Sequence, residues 1–232
     1  MALVKFGGGV VQMAGSIGGN TFARNRGGNY VRARTKPINP NSPLQVIVRA
    51  NLSLLTVQWS SVLTAAQRTA WNLYASSVIM QNRLGESINL SGFNHFLRSN
   101  LVRLQAGASQ VNDGPVIFEI PDADPTFAIV TTTATQIVSQ TFDTALSWAN
   151  EDGGRMFVFQ GQPQNAQRNF FGGPWRFLNA IEGAGAGPPV SPEDSAAVFS
   201  VQTGQHIWAY GRISRADGRL SAPFRDDVFG TA

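Results

Sequence analysis

The chain has 232 residues, 14% of them charged and 43% apolar, with a formal net charge of +4. An ordinary soluble domain carries about 25% charged residues, so charge is what this chain lacks; 16 Asn, 15 Gln and 24 Gly stand in its place. The absence of cysteine excludes disulfides, thiolate metal sites and thiol catalysis. Two histidines, His95 and His206, leave little for metal ligation or acid–base work. No apolar run approaches the roughly 18–20 residues of a spanning helix, and no basic segment followed by an apolar stretch opens the chain. The expectation is a soluble protein made in the cytoplasm, with no cofactor and no membrane contact.

Charge is unevenly divided. Residues 1–110 hold eleven Lys and Arg against the single acid Glu86, a net +10, whereas residues 111–232 hold seven Arg against thirteen acids, a net −6. Such an asymmetry makes the molecule an electric dipole able to orient against a charged surface or a neighbour. It coincides with a change in pattern that predicts three regions: an extended arm and Pro-rich linker over 1–41, a helical module over 42–110, and a β-sandwich over 111–232.

The arm alternates short β-prone runs with glycine. Gly27-Gly28 between Thr21–Arg26 and Asn29–Arg34 reads as a two-residue hairpin turn. That turn pairs Arg26 with Asn29, Arg24 with Val31 and Phe22 with Ala33, with Arg32 and Arg34 on the other face. A lone hairpin is marginal in water, so the arm is expected to order by packing on its own body or on a neighbouring subunit. Thr35–Pro43 holds three prolines and reads as an extended connector.

A helix follows, with Ser42 as cap, Pro43 in the first position and Gln45 completing a capping box. Leu44, Ile47, Val48, Leu52, Leu55 and Trp59 mark its inward stripe. A second helix starts at Thr64, with Gln67 as box partner, and carries Trp71, Tyr74 and Ala75. A third opens at Ser91, with Phe93, Phe96, Leu97, Leu101 and Leu104 along one side. The two tryptophans are expected in the core of this bundle. Beyond Gly107 the period falls to two. Strands are expected over Pro115–Pro121, Thr126–Val138, Ala145–Trp148, Arg155–Phe159, Trp175–Leu178, Ala196–Val201, His206–Ile213 and Leu220–Phe229, enough for a two-sheet sandwich. The fold class is therefore α+β, with an N-terminal β-hairpin arm, a small helical module and an all-β C-terminal sandwich.

Catalytic constellations are scarce. Gly7-Gly8-Gly9 and Gly15–Gly19 lack the Gly-Lys-Ser/Thr end of a phosphate loop and lead into no helix, so they read as turns. His95 and His206 fall in different regions and read as surface or satisfied core residues. Glu151-Asp152, Glu193-Asp194 and Asp226-Asp227 are consecutive acids in expected turns, unlike carboxyls set across a cleft. The most informative constellation is Phe22, Arg24, Arg26, Tyr30, Arg32 and Arg34. Tyr and Arg anchor protein interfaces, and basic groups with stacking aromatics also hold nucleic acid; the absence of a DNA-binding motif favours the interface.

Gly15-Ser16-Ile17-Gly18-Gly19, Phe22, Arg24-Asn25-Arg26-Gly27, Tyr30-Val31-Arg32, Pro37, Asn39-Pro40, Gln45 and Arg49 resemble the amino-terminal pattern of tailed-bacteriophage and prophage virion structural proteins. Trp59, Leu63-Thr64, Gln67-Arg68, Ala70-Trp71, Leu84-Gly85, Ser91-Gly92, Phe96 and Asn100 continue it, so the resemblance spans roughly the first 105 residues. Separately, Gly204–Ile213 with Asp217–Ser221 resembles the last strands of fibronectin type III domains, implying an immunoglobulin-like sandwich. The resemblance implies a non-enzymatic virion component: a capsid decoration or cement protein, or a neck or tail protein, homo-oligomeric and bound to major capsid or neck and tail proteins. Two other readings remain open, a nucleic-acid-binding module using the basic half and a glycan-binding adhesin using loops around Trp148, Trp175 and Trp208.

Overall fold

The computed structural model describes residues 2–25, 27–82 and 84–232. Glycine sets the geometry of the first segment. Between β2 (Gly15–Ile17) and β3 (Asn20–Asn25), Gly18 and Gly19 take φ of 55° and 81° and close Ile17 against Asn20. Positive φ at both central positions matches the twist of a tight hairpin. The next hairpin, to β4 (Gly28–Ala33), closes at Asn25 opposite Gly28, one residue earlier than the sequence suggested. The cause is Asn25, whose Oδ1 accepts from the Gly27 N–H at 2.8 Å and so forms an Asx turn. Phe22 therefore faces Val31 and Arg24 faces Asn29, correcting the expected Phe22–Ala33 and Arg24–Val31 pairs. Arg26, the expected partner of Asn29, lies outside the described residues. With β1 (Ala2–Leu3) added against β4, the arm is a four-stranded antiparallel sheet, β1-β4-β3-β2, rather than a two-stranded hairpin.

Three helices follow the linker. Helix α1 (Pro43–Val57) runs on into a π-helical turn at Gln58–Val62. Ser42 and Pro43 occupy the cap and first position as expected, but the Ser42 side chain makes no capping bond and the box with Gln45 does not form; proline at the first position already lacks one of the free amides a cap would satisfy. Before α2 (Ala65–Ser77) the Thr64–Gln67 box does form, with bonds of 3.2 and 2.9 Å. Ser91 caps α3 (Gly92–Gln105) by accepting from Asn94 N at 3.3 Å. Leu55, Leu63, Trp71, Tyr74, Val78 and Phe96 form the helical core, with Trp59 only partly buried at its margin.

Helix α3 is covered on two sides. Phe96 packs with α1 and α2, while Val102 and Ala106 touch the outer face of the larger sheet of the C-terminal half. Its most buried positions are consequently His95, Phe96, Ser99, Asn100 and Arg103, and the expected stripe of Phe93, Leu97, Leu101 and Leu104 is only partly buried. Small and polar residues sit inside because the backbone must approach neighbours closely and because carbonyls there need donors.

The C-terminal half holds seven strands: β7 (Ala128–Thr132), β8 (Ile137–Thr141), β9 (Arg155–Gly161), β10 (Trp175–Glu182), β11 (Glu193–Ala196), β12 (His206–Ser214) and β13 (Phe224–Phe229). They form two antiparallel sheets, β11-β8-β7 and β10-β9-β12-β13. Ile129 and Val138 from the first sheet meet Met156, Val158, Ile181, Ile207, Ala209 and Ile213 from the second, with Phe142 and Trp148 filling the end. The alternate residues of β9, Phe157 and Phe159, face outward into an aromatic layer with Trp175, Phe177 and Tyr210, where Phe159 stacks on Tyr210 at 4.6 Å.

Several expected strands are absent. Thr126–Val138 is a strand, a turn and the start of a second strand, and Ala145–Trp148 is a succession of turns. Pro115–Pro121 is irregular chain, held over α2 by the Tyr74 hydroxyl donating to Glu119 O at 3.4 Å; just before it the Trp71 indole donates to Asn112 O at 2.9 Å and Asn100 brackets Val111 with bonds of 2.7 and 3.0 Å. A Cβ on Gly114 would stand 2.5 Å from Trp71 N, so only glycine allows that approach. Over Ala196–Val201 only Ala196 is in a strand, because side-chain amides replace the ladder. Gln160 accepts from Val198 N and Phe199 N at 2.7 and 3.2 Å and donates to Phe199 O at 3.2 Å. Gln136 likewise accepts from Val201 N at 2.9 Å and donates to Val201 O at 2.8 Å.

Candidate interaction surface

The arm brings the sequence-predicted residues onto the two faces of one sheet. Phe22 and Arg24 share a face with Val31 and Asn29, while Tyr30 and Arg32 lie on the opposite face beside Ala23 and Thr21. Arg34 follows the last strand, its N–H bonded to Gly19 O at 2.7 Å. Phe22 and Tyr30 are half-buried within the sheet, and Arg24, Arg32 and Arg34 are exposed. Arg24 reaches the Gln12 amide oxygen at 3.3 Å; no carboxylate pairs with Arg24, Arg32 or Arg34 among the described residues. Arg26 falls outside the described residues.

The arm strands pack on one another and on no helix or sandwich sheet to a comparable extent. The recorded ion pair from arm to body is Lys5 Nζ–Glu86, 2.5 Å, to the hairpin of β5 (Met80–Gln81) and β6 (Ser87–Ile88). Hydrogen bonds from Lys5 and then Asn82 hold the Glu86 carboxyl below its ordinary range. An exposed ion pair of this kind is worth little in water, so the arm is weakly tethered.

Helix α1 adds a second surface. Of the inward stripe predicted from sequence, Leu55 is buried and Trp59 partly so, whereas Leu44, Ile47, Val48 and Leu52 are 42–50% exposed. The amino-terminal half of α1 stands over β10 and the end of α3 at Gln105, leaving a groove of about 310 Å³ floored by Trp175 and Phe177. Val46, Leu54 and Val57 on the far side of the helix are also open to solvent. The sequence contains this second apolar stripe, which a search for one inward face passes over.

Sequence reasoning also missed the joint between the basic and acidic halves. Arg98 donates to Leu220 O at 2.5 Å and Ser221 O at 2.6 Å, and Arg212 donates to the same Ser221 oxygen at 3.2 Å. Burial first, and Arg212 second, pull the Arg98 pKa down to about 9, so it stays charged at neutral pH. Arg103 is almost fully buried, donating to Ser109 O at 2.9 Å and Ser214 Oγ at 3.1 Å. Part of the basic excess thus satisfies backbone carbonyls inside the molecule. The signal was available as two arginines on the helix that also carries His95, Ser99 and Asn100.

The remaining candidates have internal roles. His95 is buried with neither ring nitrogen bonded, edge-on to Tyr74, so it is neither a surface nor a satisfied histidine. His206 bonds Arg168 O at 2.9 Å and Asp227 at 2.5 Å. Of the acid pairs expected in turns, Glu193-Asp194 and Asp226-Asp227 lie in edge strands β11 and β13 instead; Asp226 accepts from Ile129 N at 2.8 Å across the two sheets. Glu151 does lie in a turn, paired with Arg215. Trp148 and Trp208 are buried, and Trp175 packs against Phe171 and Tyr210 beneath the Arg225 guanidinium, so these rings do not form an open platform for a sugar. Compared with known proteins, the chain matches no family model, no curated protein and no solved structure.

Proposed function

We propose that the chain is a non-enzymatic structural component of a bacteriophage particle, acting through subunit contacts as a capsid decoration or cement protein or as a neck or tail protein. The observation that carries this reading is the arm: a sheet of its own, without a core, weakly tethered, and presenting Arg24, Arg32 and Arg34 with no carboxylate partner among the described residues. Such a sheet gains order when its half-exposed apolar groups and open edges lie on another polypeptide. In the assembled particle the arm adds strands or salt-bridged contacts to a pre-existing lattice, and the acidic sandwich projects outward.

The finer reading of the sandwich is a fibronectin III-like fold. Lettered A, B, C, C′, E, F and G in chain order, β7–β13 give sheets A-B-E and C′-C-F-G, an immunoglobulin-type division with the C-F-G strands together. A parallel bridge between Thr132 and Thr231 links the end of the first strand to the chain terminus beyond the last.

Deletion of residues 1–36 tests the role of the arm. The truncated protein is expected to stay folded and soluble by circular dichroism and to lose attachment to purified particles. Undiminished attachment would overturn the arm's role, and absence of the intact chain from a mass-spectrometric inventory of purified particles would overturn virion membership.

A further inference from the structure

We infer that α1 is a self-association seam, through which two copies of this chain pair about a two-fold axis. The inference deepens the assembly reading and rests on it for its biological setting, though not for its physics. Ile47, Ala50, Leu54 and Val57 recur at spacings of three, four and three, the a-d-a-d spacing of a two-heptad coiled-coil seam. All four are exposed, the three larger ones 46–53%. Ala50, Leu54 and Val57 project from the side of the helix away from buried Leu55, while Ile47 stands at the edge of the groove over β10, so the seam meets the body contact at that residue alone.

The neighbours of the seam identify its occupant. The positions flanking it within α1, Val46, Asn51 and Ser53, are all uncharged. Charges at such positions are what select a foreign helix; neutral amides and hydroxyls accept their own copies without like-charge repulsion. The one charged residue of α1, Arg49, lies off the seam and is tied back to Asn39 of the linker at 2.8 Å. A helix lying on lipid needs a strongly basic polar face, which this one lacks, and no single helix here is long and apolar enough to cross a membrane among the described residues.

The larger side chains of the seam, Ile47, Leu54 and Val57, are 46–53% exposed and leave roughly 250 Å² open, well below the ~800 Å² that each partner contributes to a standard interface, so the contact is a weak one. The π-turn at Gln58–Val62 rotates the following residues off the heptad and ends the seam at Val57. Two heptads give a modest, concentration-dependent pairing, which suits a contact reinforced by a particle lattice.

The test is sedimentation velocity of the full chain up to about 100 μM, a range that detects association of micromolar strength. A monomer–dimer equilibrium is expected, and Ile47→Glu with Leu54→Glu should weaken it at least tenfold with unchanged far-ultraviolet circular dichroism. Because the chain has no cysteine, Ala50→Cys and Leu54→Cys, made separately and mixed, report the pairing by oxidation. Parallel helices give homodimeric disulfides and antiparallel helices give the mixed one, while Ser76→Cys on α2 gives neither. A monomer at every concentration with no cross-link, or a dimer indifferent to the two glutamates, overturns the seam. A monomer that still attaches to particles would sink the seam and leave the assembly reading standing; a dimer absent from particles would do the reverse.

Discussion

Acid should destabilise this protein through His95, by an amount the structure sets. The ring is buried against the edge of Tyr74, and neither nitrogen has a hydrogen-bond partner. Burial first, and the neighbouring Arg98 guanidinium second, lower its pKa from 6.5 to about 4. The unfolded chain therefore takes up a proton as the pH falls below about 6.5, while the folded chain refuses it until about 4. Stability is intact above that window and is lost progressively within it. Integrating proton uptake between pH 7.5 and 5.0 gives a loss of about 2 kcal/mol from this residue, which corresponds to roughly 4–8 °C in Tm for a chain of this length. Other groups titrate over the same range, so the measurement is a difference. Urea denaturation of wild type and His95→Leu at both pH values should show the wild type losing about 2 kcal/mol more than the variant. Leucine is close to histidine in volume and removes the titration, so the comparison survives a change in absolute stability. Parallel losses, within about 0.5 kcal/mol, would refute the assignment of a low histidine pKa to burial.

Two substitutions probe buried polar contacts. Gln160→Leu leaves Val198 N, Phe199 N and Phe199 O without their side-chain partner, and stability measured by urea unfolding should fall by about 2–4 kcal/mol; a loss below about 1 kcal/mol would mean that water or a rearranged strand satisfies these groups. Arg103→Leu removes the donors that join α3 to Ser109 O and Ser214 Oγ; a loss of about 2–4 kcal/mol is expected, with amide exchange accelerating in both α3 and β12. Faster exchange in α3 alone would show that the arginine supports its own helix rather than the joint.

The helices were legible wherever local chemistry acted alone. Thr64 and Gln67 announce a start, and the pair forms the expected box; Ser91 does the same for α3. Legibility failed where a long-range partner replaced a local rule. Ala196–Val201 alternates like a strand, yet glutamines 38 or more positions earlier supply the bonds a neighbouring strand would give. Pro115–Pro121 carries β-forming residues, but the chain there is held over α2 by the Tyr74 hydroxyl, which donates to Glu119 O, after Trp71 and Asn100 have fixed the residues just before it. In the arm, the error of one residue in the turn came from a single side chain, Asn25, bonding its own backbone. Because the pairing moved by two positions, from Phe22–Ala33 to Phe22–Val31, Phe22, Arg24 and Arg32 kept the faces assigned to them, with Arg24 and Arg32 on opposite sides.

The uncharged polar composition then divides into two causes with different consequences. Charged residues are depleted from interface cores, which would make the shortage of charge a mark of subunit contact throughout. The sandwich does not fit that account: Gln136 and Gln160 hold irregular chain where a ladder is absent, and buried Gln140 accepts from Ser195 of the paired strand β11. Helix α1 is the place where the shortage remains unexplained by folding. Its apolar side chains are half-open and its only charge is tied to the linker, although an amphipathic helix ordinarily buries its apolar stripe against the core. On the proposed assembly reading, folding and subunit contact draw on the same composition at different sites. Substitutions in the buried glutamines should lower stability and leave self-association unchanged, whereas substitutions at Ile47 and Leu54 should do the opposite.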